Sequence, residues 1–137
     1  MGCDIHAFVE YKSKHDFRHD ARWDSFSSDQ INLDRNYNLF GYLTNGQVRY
    51  DPDMEYGINP RGLPEYPSHE VEEFSDPTNT HSHSWLTYEE FVEILELMRK
   101  NEDKDVFVPI QYYAILGVMK ALVEVDMKVR FVFWFDS

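Results

Sequence analysis

The 137-residue chain has one cysteine, Cys3, so it cannot close an internal disulfide. A lone thiol fits a reducing compartment. No run of 18 or more apolar residues occurs, so no segment reads as a membrane-spanning helix. Positive charge is scarce: 13 Lys+Arg stand against 25 Asp+Glu, a formal charge of -12. That balance excludes coating duplex DNA or an anionic membrane through bulk charge. It still allows a small phosphorylated ligand held by a few arginines or by a metal. The chain has no Gly-rich phosphate loop, no Gly-x-Ser-x-Gly elbow and no Cys-x-x-Cys pair. A P-loop enzyme, a serine hydrolase and a zinc ribbon are therefore unsupported. No basic region followed by an apolar stretch opens the chain, so no secretory signal is expected. His6 stands where a myristoylation signal requires Ser or Thr.

What is present suits one folded domain over residues 1–137. Hydrophobic residues are 42% and aromatics 16%, enough for one core. Residues 4–12 alternate, with Ile5, Ala7, Val9 and Tyr11 on one face and Asp4, His6, Phe8 and Glu10 on the other. Residues 127–136 repeat the pattern, with Val129, Phe131, Phe133 and Phe135 opposed to Arg130, Val132, Trp134 and Asp136. A period of two predicts strands, and the two termini are expected in one sheet.

Residues 13–36 are polar. Asn45-Gly46 is a turn signal, which favours a hairpin between Phe40–Leu43 and Val48–Tyr50, with a helix over Tyr37–Leu43 as the alternative. Residues 51–80 carry five of the six prolines and eight acids, and read as a long irregular loop. Thr87 and Glu90 form a capping-box pair ahead of an apolar stripe at Phe91, Ile94, Leu95 and Met98, predicting a helix to Lys100. Pro109 opens a second, more apolar helix from Ile110 to Val125. The expected fold class is α+β: a mostly antiparallel sheet with two helices on one face.

Three places carry candidate chemistry. Asp4 and His6 lie two apart in a strand and point to one side, where they can bind a metal or act as a carboxylate-oriented base. The bland alternative is a histidine bonded to its neighbour. His81 and His83 share a side if their segment is extended, just before a helix start that favours anions. They could equally belong to an ordinary polar loop. Asp136 approaches Asp4 and His6 if the terminal strands pair antiparallel. Together, Asp4, His6, His81, His83 and Asp136 make a possible ligand set for Zn²⁺, Mn²⁺ or Mg²⁺. His83 and Asp4 are the expected catalytic residues. Arg35, Arg49 and Arg61 suit phosphate, with Tyr37, Tyr50, Ser84 and Trp85 as further ligand contacts. Surface ion pairing is the competing explanation for each arginine.

These residues also lie in recognisable motifs. Met1-Gly2-Cys3-Asp4-Ile5-His6, Arg35-Asn36-Tyr37-x-Leu39-Phe40, Arg61-Gly62-Leu63-Pro64, His81-Ser82-His83-Ser84-Trp85-Leu86-Thr87 and Phe133-Trp134-Phe135-Asp136 resemble a small protein family common in bacteriophage and prophage genomes. The resemblance implies a phage origin, the cytoplasm of a bacterial host, and a site built from these motifs. It implies no activity.

Three functions follow as expectations. The first is a metal-dependent hydrolase acting on a phosphodiester of a nucleotide. Given a phage origin, that nucleotide could be a cyclic signal of host antiviral defence. The second is a non-catalytic protein that sequesters a nucleotide. The third is an acidic protein-binding inhibitor acting through residues 51–76. A homodimer is a further possibility, through edge pairing of the β-prone terminal strand.

Overall fold

The computed structural model describes residues 2–50, 52, 57–100 and 107–137. Its elements are β1 (Asp4–Ser13), β2 (Asp24–Ser25), α1 (Tyr37–Leu43), α2 (His69–Phe74), β3 (His81–Thr87), α3 (Tyr88–Lys100), α4 (Ile110–Glu124) and β4 (Met127–Asp136). The strands form one antiparallel sheet in the order β2-β1-β4-β3. This is the expected α+β architecture, and both terminal strands lie in the sheet. Among the described residues, no helix is long and apolar enough to cross a membrane.

The alternation in β1 and β4 sorts their side chains to two faces. Their ladder runs unbroken from Asp4 opposite Asp136 to Ser13 opposite Met127. On the first face Ile5, Ala7, Val9, Phe131, Phe133 and Phe135 are buried beneath α1, α3 and α4. On the second, Phe8, Val132 and Trp134 are buried with Val71 of α2 and half-buried Trp85. Coverage on both sides explains why β4 is apolar without a break from Phe131 to Phe135. Truncating one of these phenylalanines to alanine would cost about 3–5 kcal/mol.

Several sequence expectations are corrected here. Residues 37–43 form a helix, not a hairpin strand. Asn36 caps it by accepting from the Leu39 N–H at 3.1 Å. The span 51–80 is not irregular throughout, because Ser68 caps α2 by accepting from the Val71 N–H at 3.2 Å. Helices also cover both faces of the sheet, with α2 opposite the other three. Finally, β4 is interior, so edge pairing through it gives no basis for a homodimer.

A buried ion pair fastens the second face. Arg130 donates from Nε to Glu10 Oε1 at 2.7 Å and from Nη2 to the Glu65 carbonyl at 3.0 Å. Glu10 Oε2 accepts from the Ser68 N–H at 2.5 Å. One carboxylate therefore ties the sheet to the start of α2.

Candidate functional site

The antiparallel pairing brings the expected residues to one end of the sheet. Asp4 stands opposite Asp136, His6 opposite Trp134, and His81 opposite Phe135. The His6 Nε2 hydrogen bonds to Asp136 Oδ2, although the two residues are 130 positions apart. An ionised carboxylate only accepts, so Nε2 carries a proton. The other ring nitrogen, Nδ1, meets the Gln30 side-chain amide at 2.6 Å. That amide can accept a proton through its oxygen or, turned over, donate through its nitrogen.

Polar clefts flank this chain on two sides. One, of about 370 Å³, is lined by Asp4, His6, Asp29, Gln30 and Asn32 among others. The second, of about 470 Å³, includes His6, Asp76, Asn79, Thr80, Trp134 and Asp136. Trp134 is fully buried, and its indole N–H has no partner among the described residues.

Asp4 has a different partner. It accepts from Arg35 Nε at 2.6 Å and Nη2 at 3.3 Å. The guanidinium lowers the Asp4 pKa, first through the hydrogen bond and then through its charge. The start of the chain has a geometric reason for this pairing. A Cβ added at Gly2 would overlap the Arg35 guanidinium. Gly2, Asp4 and Arg35 therefore form one packed unit.

The two expected strand histidines do not share a side. The β3–β4 register shifts between His81 and Ser84, and Ser82 takes a positive φ of 56°. One extra residue in a bulge turns the side-chain alternation over. His81 stacks near Phe135 and bonds Ser137 Oγ at 2.9 Å. His83 stacks near Trp134, and its Nε2 meets Thr80 Oγ1 at 2.8 Å. Thr80 Oγ1 in turn donates to the Asp76 carbonyl at 2.6 Å, so the His83 nitrogen is the donor to it. Burial, with a smaller contribution from His81, lowers the His83 pKa. His83 and Asp4, expected to act together, stand on β3 and β1 with β4 between them. That separation is two strand spacings, about 10 Å.

The five expected metal ligands are therefore not assembled as one set. Among the described residues, no three His, Cys, Asp or Glu side chains are grouped to hold a metal ion. The helix start is not beside the histidines either, because α3 begins at the opposite end of β3. There Thr87 and Glu90 complete the expected capping box, at 2.9 Å and 3.2 Å.

The remaining phosphate candidates are dispersed. Arg61 pairs with both oxygens of Glu90 and lies 4.6 Å over Trp85. Ser84 is fully buried and accepts from the Arg61 N–H at 3.1 Å. These are structural roles that join the segment before α2 to β3 and α3. Arg49 lies 5.3 Å over the Tyr37 ring, and Tyr50 is largely exposed. Arg35 stays beside the His6 end of the sheet, where the Tyr37 side chain bonds it as well. Gln30, Thr80 and Asp76 escaped sequence reasoning because polar loop residues carry no periodic signal.

No protein-family model matches the chain, and neither a curated protein nor a solved structure matches it.

Proposed function

We propose that the protein is a hydrolase acting on a phosphodiester of a nucleotide, with His6 and Asp136 as its acid–base pair. The observation that carries this reading is the chain Gln30–His6–Asp136 between two polar clefts. Once Gln30 has moved off it, His6 Nδ1 takes a proton from an attacking water as the phosphorus–oxygen bond forms. The same proton passes to the leaving oxygen as its bond breaks. Asp136 orients the imidazole and stabilises its charged form. Arg35 is the nearby cation for the phosphate, as Arg suits bidentate phosphate contact. Asp4 is held by Arg35 and Asp136 by His6, and among the described residues no three such side chains are grouped to hold a divalent ion, so no step of this reading draws on one. The resemblance to a phage family favours a cyclic signalling nucleotide as substrate.

Purified protein is incubated with a panel of cyclic and linear nucleotides, with and without Mg²⁺, Mn²⁺ or Zn²⁺. Turnover that falls about 10²- to 10⁴-fold in His6→Ala supports the reading. An intact panel under every condition overturns it.

A sequestering role is the second reading. It is favoured by the engagement of both His6 nitrogens, which leaves no lone pair open until Gln30 moves. Calorimetric binding with the nucleotide recovered unchanged would select it. The inhibitor reading rests on residues 51–76, of which 51 and 53–56 lie outside the described residues.

A further inference from the structure

The far end of the sheet holds a cavity of about 360 Å³ whose chemistry is unlike the rest of the surface. Its lining includes Lys14, Lys128 and Arg130 with the rings of Trp23, Trp85 and Tyr88. Glu89 is the one carboxylate there. Arg130 is neutralised by Glu10, so in a chain with a formal charge of -12 the two lysines against one acid still make a local inversion of charge.

The cavity is built rather than incidental. Arg130 is only 6% exposed, held by Glu10 and the Glu65 carbonyl, and its guanidinium lies 3.9 Å over Trp23. On the other wall, Arg61 holds Trp85 from one face of its ring. Two indoles are thus each braced by an arginine that is itself ion-paired. Lys14 and Lys128 are exposed, and no ion pair is recorded for either among the described residues. Braced rings suit a planar heteroaromatic group, and mobile ammonium groups suit an anion at the mouth. The volume is at the low end for ligand sites, which fits one nucleotide unit.

We propose that this cavity is a binding site for a nucleoside monophosphate, separate from the His6 cleft. The base lies against Trp23 and Trp85, and the phosphate meets Lys14 and Lys128. The site needs no metal and no chemistry at His6, so it stands whether or not the hydrolase reading does.

The test is calorimetry with the full chain and the 5′-monophosphates of adenosine, guanosine, cytidine and uridine. Adenosine and inorganic phosphate serve as half-ligand controls. Saturable binding of at least one monophosphate, weaker for both controls, is expected. Lys14→Gln with Lys128→Gln should weaken it about tenfold or more, since each charged contact is worth a few kcal/mol at most. Both lysines are exposed, so the variant should keep its fold, which circular dichroism checks. His6→Ala should leave binding unchanged. Absence of saturable binding for all four monophosphates overturns the proposal. So does binding that survives the double lysine variant or disappears in His6→Ala.

Discussion

Arg35 lies against the α-carbon of Gly2 while it grips the carboxylate of Asp4 two residues on. A side chain at residue 2 would compete with the guanidinium for the same space. Gly2→Ala should push the guanidinium away, and the Asp4 pKa should rise toward its ordinary value of 3.8. The sign follows from the lowered native value. Asp4 contributes stability above its unfolded pKa and loses it as pH falls through the folded one. A carboxyl-carbon NMR titration reads the shift directly. An unchanged Asp4 titration in Gly2→Ala would show that the contact has no such role.

The Glu10–Arg130 pair predicts an asymmetric double-mutant cycle. Glu10→Leu strands a buried guanidinium and frees the Ser68 N–H, and should cost about 3–5 kcal/mol in urea unfolding. Adding Arg130→Met removes the stranded charge and should recover part of that loss. Equal and additive losses would contradict the proposed coupling.

His83 should make stability fall on acidification. Its native pKa lies below the ordinary 6.5, chiefly through burial. Above that ordinary value both folded and unfolded states hold it neutral, so it contributes nothing there. As pH falls through 6.5, the unfolded state takes up the proton first and folding weakens. His83→Gln should flatten the melting temperature between about pH 7 and 5 relative to the native chain. An unaltered pH slope would exclude His83 as its source.

Capping gives a prediction independent of function. Thr87 and Glu90 satisfy each other's backbone N–H at the start of α3. Thr87→Ala should lower stability by about 1 kcal/mol, measured by chemical denaturation. A neutral result would mean that Arg61, through Glu90, is enough to fix the helix start.

Gln30 should act as a positioning residue for His6. Gln30→Met keeps the side-chain length but removes the contact to Nδ1. In a hydrolase, kcat should fall while KM changes less. If KM alone changes, Gln30 touches the ligand and does not tune the imidazole.

The sequence by itself determined the two terminal strands, both long helices and the capping box. Those signals are local: a period of two in Asp4–Lys12 and Met127–Asp136, a helical stripe at Phe91–Met98, and a Thr-x-x-Glu spacing. It also put Asp136 near Asp4 and His6 on the condition that the terminal strands pair antiparallel, and the observed ladder meets that condition. Local pattern could not reveal which partner each polar group would take. Arg35 found Asp4 through the bare side of Gly2, and a bulge at Ser82 sent His81 and His83 to opposite sides. Nor could spacing bring Trp23 and Trp85 to the walls of one cavity. Contacts of that kind depend on where loops close over the sheet, and loop closure carries no periodic trace in the sequence.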